Sequence, residues 1–296
     1  MASSRTPAAG ERGLIKSKSR VRDLAEVYTA EREVNAMLDL VQDGMTAGLP
    51  RVAGTGKAAL NMEKATFLEP ACGNGNFLVE ILRRKLQANK QTCEYFTTSE
   101  AGRNPPAFKK GGKADEAMWA VLQAVSTIYG FDICPNNVAE TQARLYSYIL
   151  YGKDLLLPPF LTGKDRHTLN YIESVTPTNE LSIADDYEER LYIFAAKEAA
   201  EEGLGARPKE VKELWRKALK LVLQKNFQQG DFLAQKNAAG EDLLVGSWAF
   251  PTLPGKGTQI RREDFKLADV GKDDAKPVRV MKLQSLSSFV AGGGNA

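Results

Sequence analysis

The chain is short of the side chains that most often carry chemistry by themselves. It has a single histidine and three cysteines among 296 residues. His167 has no Cys, Ser or Asp partner at triad spacing, so it reads as a surface or capping residue. Cys72, Cys93 and Cys134 form no CxxC and leave no even pairing. A disulfide framework or a zinc site is therefore not expected, and no metal is assigned. Free thiols fit a reducing compartment, and a cytoplasmic location is the expectation. No apolar run approaches membrane-spanning length, and the N-terminus lacks the apolar core of a signal peptide. A net charge of +3 is too small to diagnose nucleic-acid binding by itself.

Two phosphate-binding signatures are also missing. GxxxxGK[ST] is absent, and no third glycine stands three positions after Gly75, as the dinucleotide fingerprint requires. What is present runs from Thr66 to Leu82: a short apolar run, Glu69, Pro70, then Gly73 and Gly75, then Phe77, Leu78, Ile81 and Leu82 at helical spacing. This reads as a buried strand, a glycine turn and a helix seated on a sheet. Such a unit binds nucleotide-like ligands at the carboxyl end of a parallel sheet, although a GxG pair also serves as a plain tight turn. Arg83, Arg84 and Lys85 fall in the later helical turns, where positive charge suits the dipole. Glu69 narrows the ligand. A carboxylate repels a pyrophosphate and attracts an ammonium or sulfonium, which favours S-adenosylmethionine over NAD or ATP.

The phrase Glu69-Pro70-Ala71-Cys72-Gly73-Asn74-Gly75-Asn76-Phe77-Leu78 resembles motif I of the amino-group DNA methyltransferases, above all the adenine-N6 enzymes of restriction-modification systems. Three further segments follow the order of that family. Val27–Val34 is similar to motif X, with Ala30 where the family has proline; the resemblance implies that Tyr28 and Thr29 pack against the methionine end of the cofactor. Ile128–Ile133 is similar to motif II, so Asp132 inherits acceptance from the ribose hydroxyls, a task that suits an acceptor-only carboxylate. Lys225–Phe232 is similar to motif III, which gives Asp231 the adenine amino group and Phe232 a place against the ring. The cofactor set implied is Tyr28, Thr29, Glu69, Ala71, Gly73, Gly75, Asn76, Phe77, Asp132, Ile133, Asp231 and Phe232.

Length and ordinary composition, 43% hydrophobic and 26% charged, allow one well-buried α/β domain. The expected architecture is a Rossmann-like methyltransferase fold, a mostly parallel sheet flanked by helices, over residues 21–284. A mobile basic tail at 1–20, an inserted loop at 88–114, a helical insertion at 152–224 and a disordered tail at 285–296 complete it. Helices are expected near 31–42, with Val34, Met37, Leu38 and Val41 on one face, and at 117–127, 137–151, 187–202 and 208–224. Strands are expected at 226–230, 243–250 and 257–262. Basic residues crowd both ends, Arg5 to Arg22 and Lys256 to Lys282, where they serve either as phosphate contacts or as solubilising charge.

One family element is missing. After Asp231 there is no [Asp/Asn/Ser]-Pro-Pro-aromatic motif, which in adenine-N6 enzymes holds the flipped base. Asn104-Pro105-Pro106-Ala107 and Leu157-Pro158-Pro159-Phe160 each lack one chemical part, precede motif III, and read as loop prolines. The strand-four slot falls at Val245–Pro251, with Ser247 or Trp248 in the polar role. Catalytic residues therefore stay unassigned. Three functions remain open: an S-adenosylmethionine-dependent DNA methyltransferase; a non-catalytic cofactor-binding subunit whose partner supplies the base pocket and target recognition; and a small-molecule or protein methyltransferase.

Overall fold

The computed structural model describes residues 29–46, 62, 64–89, 113–151 and 209–292. The chain divides into two units, Met1–Leu60 and Asn61–Ala296. The first unit contributes α1 (Glu31–Thr46), with Glu31 and Glu33 in the first turn where acid favours a helix N-terminus. Val34 and Leu38 are buried, whereas Met37 and Val41, expected beside them, are exposed. The basic tail at 1–20, residues 90–112 of the inserted loop and residues 152–208 of the helical insertion lie outside the described residues.

The second unit is α/β. Its first layer is a parallel sheet of β1 (Phe67–Glu69), β2 (Ile128–Asp132) and β3 (Phe227–Gln229), in the order β1-β2-β3. Phe67 pairs with Ile128, and Asp132 with Gln229. Parallel strands require crossovers, which the helices supply: α2 (Asn76–Ala88), α3 (Lys113–Ser126), α4 (Pro135–Tyr151) and α5 (Lys209–Asn226). On α2 the expected apolar stripe is realised at Leu78, Ile81 and Leu82, all buried, whereas Phe77 is half-buried and Leu86 joins the buried face. Each such leucine contributes about 1.5–3 kcal/mol. Lys85 departs from its expected role beside the helix dipole. It is fully buried and donates from Nζ to the carbonyls of Met62 (3.0 Å) and Ala65, pinning the chain that leads into β1.

A second sheet is antiparallel, in the order β4 (Leu244–Ala249), β7 (Ile260–Lys266), β8 (Arg279–Gln284), with a small hairpin β5 (Thr252–Leu253) and β6 (Gly257–Thr258) beside it. Here the expectation of a strand four at Val245–Pro251 is overturned. Val245 pairs with Phe265 and Trp248 with Arg262, so this segment belongs to the antiparallel sheet and not to the parallel one. Arg262, counted among surface cations, is instead buried beside Asp264 (2.5 Å) and lies over the Trp248 ring. Gly246 makes room for it: a Cβ there would stand 2.7 Å from Arg262 Nε.

The two sheets are joined by polar groups of buried residues. Tyr129, in the middle of β2, donates its hydroxyl to the Gly246 carbonyl. Asn226, at the end of α5, donates to the carbonyls of Val125 (3.2 Å) and Ile128 (3.0 Å) and accepts from Trp248 Nε1 (2.9 Å). Around this network Phe131, Leu243 and Leu267 form one apolar cluster, and Ala218, Ile260, Met281 and Phe289 another. The second cluster corrects the disordered tail expected at 285–296 over residues 285–292, residues 293–296 lying outside the described ones. Leu286–Ala291 forms helix α6, capped by Ser285 and held because Phe289 is fully buried.

Asn226 tests this joint. Replacing it with alanine strands the Trp248 N–H and two carbonyls, and is expected to lower unfolding free energy by about 2–4 kcal/mol. Urea denaturation measures it; a loss under about 0.5 kcal/mol, the size of an ordinary surface change, would show that the sheets are joined by other means.

Candidate cofactor site

The carboxyl ends of the parallel strands carry the site. Glu69 ends β1 and Asp132 ends β2; Gly230 follows β3 and donates its N–H to the Asp132 carbonyl (2.9 Å). Between β1 and α2 the chain turns through Gly73 (φ 54°) and Gly75 (φ 85°), both left-handed, as the paired glycines predict. Gly75 is doubly constrained, since a Cβ there would stand 2.8 Å from Thr141 Oγ1.

Asp132 organises this loop. Its Oδ2 accepts from the Gly73 N–H (2.8 Å), and its Oδ1 accepts from the Cys134 N–H (2.8 Å) and Asn137 Nδ2 (3.3 Å). A carboxylate offers about four acceptor positions. Three are filled from within the chain, which leaves one acceptor position on Oδ2. Helix α4 supports the other side. Thr141 donates to the Gly73 carbonyl (3.1 Å), and buried Arg144 donates from Nη1 to the Asn74 carbonyl and to Asn76 Oδ1 (2.8 Å). Sequence reading missed Asn137, Thr141 and Arg144 as loop supports. Their spacing of four and three residues puts them on one helical face, the only signal that marks them.

The remaining expected residues divide into several groups. Glu69 is half-buried; apart from the Ala71 N–H at 3.4 Å no described group bonds its carboxylate, and burial raises its pKa. Asn76 is occupied by Arg144, and Phe77 is half-buried at the start of α2. Ile133 is exposed, an apolar side chain directly after Asp132. Asp231 is exposed, and its Oδ1 accepts from the Ala234 N–H (2.9 Å) in a local turn. Phe232 is half-buried against Phe131, ring centroids 5.9 Å apart, so part of its surface already belongs to the core. Thr29 precedes α1 in the first unit, and Tyr28 lies outside the described residues.

Two groups in the loop have restricted chemistry. Cys72 is buried, and burial, reinforced by the charges of Asp132 and Glu69, drives its thiol pKa far above the ordinary range. It is no nucleophile at neutral pH. Asn74 is buried, and its Oδ1 has no hydrogen-bond partner, which leaves an acceptor open within the loop. Ser247 and Trp248, the two alternatives for the polar role, line a different space: a cavity of about 350 Å³ with Thr66, Thr127 and Phe265 on its wall. Thr66 and Thr127 precede β1 and β2, so this cavity opens at the amino ends of the strands, opposite the glycine loop.

Among the described residues no cluster of His, Cys, Asp and Glu can hold a metal, and no helix is long and apolar enough to cross a membrane. Compared with protein-family models, with curated proteins and with solved structures, the chain gives no match.

Because Asp132 holds the loop before any ligand arrives, Asp132→Asn is expected to lower stability of the free protein by about 1.5–3 kcal/mol, the range for a hydrogen bond to a charged group. Chemical denaturation without ligand checks this. An unchanged midpoint would assign Asp132 to ligand binding alone.

Proposed function

We propose that the chain binds S-adenosylmethionine through a Rossmann-like methyltransferase domain and acts as an adenine-N6 DNA methyltransferase. The observation that carries this reading is the charge arrangement at the loop. Glu69, half-buried and unpaired with any described cation, stands at the carboxyl end of β1 beside a glycine turn. A carboxylate held there at an energetic cost fits a cationic ligand and opposes a pyrophosphate. Asn74 Oδ1 adds a neutral acceptor that fits an ammonium donor. Asp132 has one position left for a ribose hydroxyl, and exposed Ile133 offers an apolar wall for the adenine. When bound, the cofactor supplies a methyl group on a sulfonium. The chain's own work is to fix the ribose, balance the positive charge and exclude water by packing around the ring. Positioning of this kind can supply a large share of the rate.

DNA as the acceptor rests on the resemblance of motif I and on charge. Lys256, Lys276, Arg279 and Lys282 are exposed and have no acidic partner among the described residues, whereas Lys266 and Lys272 are paired with Asp242 and Asp269. One observation favours the second reading, a cofactor-binding subunit completed by a partner chain. Val245–Pro251 is committed to the antiparallel sheet, at the end of the strands opposite the loop. A base pocket from that segment would face away from the methyl donor.

Calorimetry with S-adenosylmethionine, with ATP as control, followed by labelled methyl transfer to mixed-sequence DNA, separates the readings. Binding plus label supports the methyltransferase. Binding with label only after addition of a neighbouring gene product supports the subunit, and absence of binding sinks both. Glu69→Gln gives a sharper test. Burial raises the Glu69 pKa, so folding favours the protonated form, and that stability is lost as pH rises through the raised value. At pH 7 the glutamine variant is therefore expected to melt at or above wild type, the gap closing as pH falls into the ordinary carboxylate range. Its cofactor affinity is expected to fall about tenfold, equal to about 1.4 kcal/mol. A variant that loses stability and keeps affinity would make Glu69 structural.

A further inference from the structure

Helix α5 carries an arginine whose principal binding edge faces no partner. Arg216 is nine-tenths buried, and its Nε and Nη2 are shielded from water without a hydrogen-bond partner. Those two N–H groups share one edge of the planar guanidinium, the edge that grips a carboxylate or phosphate through two parallel bonds. The acid on the same helix does not use it. Glu213 stands 3.8 Å from Nη1 and 3.9 Å from the ammonium of Lys217, beyond hydrogen-bonding reach of both. Across the packed interface with α4, the buried Tyr146 hydroxyl lies near enough to feel the charges of Arg216 and Glu213.

A dry, unpaired guanidinium edge is costly, and a leucine or methionine would fill the same volume without that cost. We propose that Arg216 is the seat of a small oxyanion, a phosphate or a carboxylate, held through Nε and Nη2 at the α4–α5 interface. The depth of the site selects a compact ion. Glu213, whose side chain is half exposed, stands at the Nη1 corner of the guanidinium, away from the open edge. The site is independent of the glycine loop and of any cofactor reading.

Thermal melting of the full chain in chloride buffer, titrated separately with inorganic phosphate and with acetate, tests the assignment. Wild type is expected to gain melting temperature saturably with at least one ion, and the ion with the lower midpoint identifies the preferred chemistry. Arg216→Met is expected to show no gain and to melt at or above wild type without added ion. Arg216→Lys, which keeps the charge but loses the fork, is expected to bind at least tenfold more weakly. Glu213→Gln is expected to bind several-fold more tightly, because a repelling carboxylate is gone. The proposal is overturned if wild type shows no saturable gain, if Arg216→Met gains equally, or if a short DNA duplex stabilises wild type where both small ions fail.

Discussion

Three N–H groups converge on the carboxylate of Asp132, and the second unit is arranged around that convergence. One belongs to the glycine loop, one to the turn after β2 and one to the first turn of α4. The negative charge at the end of β2 therefore sets the distance between the two crossovers that flank the sheet. With the loop fixed on one side, Thr141 and Arg144 reach its carbonyls from the other, and the left-handed glycines keep a bulky Cβ from intruding. Remove the charge and the turn loses the donor–acceptor pairing that holds its shape, whatever it binds.

The parts of this arrangement that were legible in the sequence are those governed by local chemistry. Gly73 and Gly75 declare a turn because few other residues take their backbone angles, and Leu78, Ile81 and Leu82 declare the buried face of α2 by their spacing. Strands ending at Glu69 and Asp132 follow from short apolar runs before an acidic residue. What escaped depends on distant partners. Lys85 looks like a helix-end cation until the chain before β1 folds over it. Arg262 looks like a surface charge until Asp264 and Trp248 enclose it. Leu286–Ala291 looks like a frayed tail because its stabilising contact, Phe289, is one residue inserted between distant elements.

The greatest departure concerns Val245–Pro251. Its alternation suits any strand, so the choice of sheet was open. Gly246 and Trp248 decide it: only a glycine lets Arg262 lie across β4, and the indole N–H finds its acceptor in Asn226. Those contacts draw the strand toward the antiparallel sheet and place Ser247 at the amino ends of β1 and β2. The second unit thus carries the Glu69 loop at the carboxyl ends of its parallel strands and a cavity walled by Thr66, Thr127, Trp248 and Phe265 at their amino ends.

The location of the loop supports along the chain has a temporal consequence. The hydrogen bonds of the Asp132 carboxylate clamp, and those of Thr141 and Arg144 with the loop, lie between Gly73 and Arg144. None waits for residues made later. Pairing of β3 with β2 instead joins Gly130 to Phe227, and the Tyr129 hydroxyl reaches Gly246 across a separation of 117 residues. Closing such loops carries the larger entropic cost. During synthesis, the stretch that shapes the loop can therefore settle while the segment that covers Phe131 is still inside the ribosome, and the exposed face of β2 is the surface that needs protection in that interval.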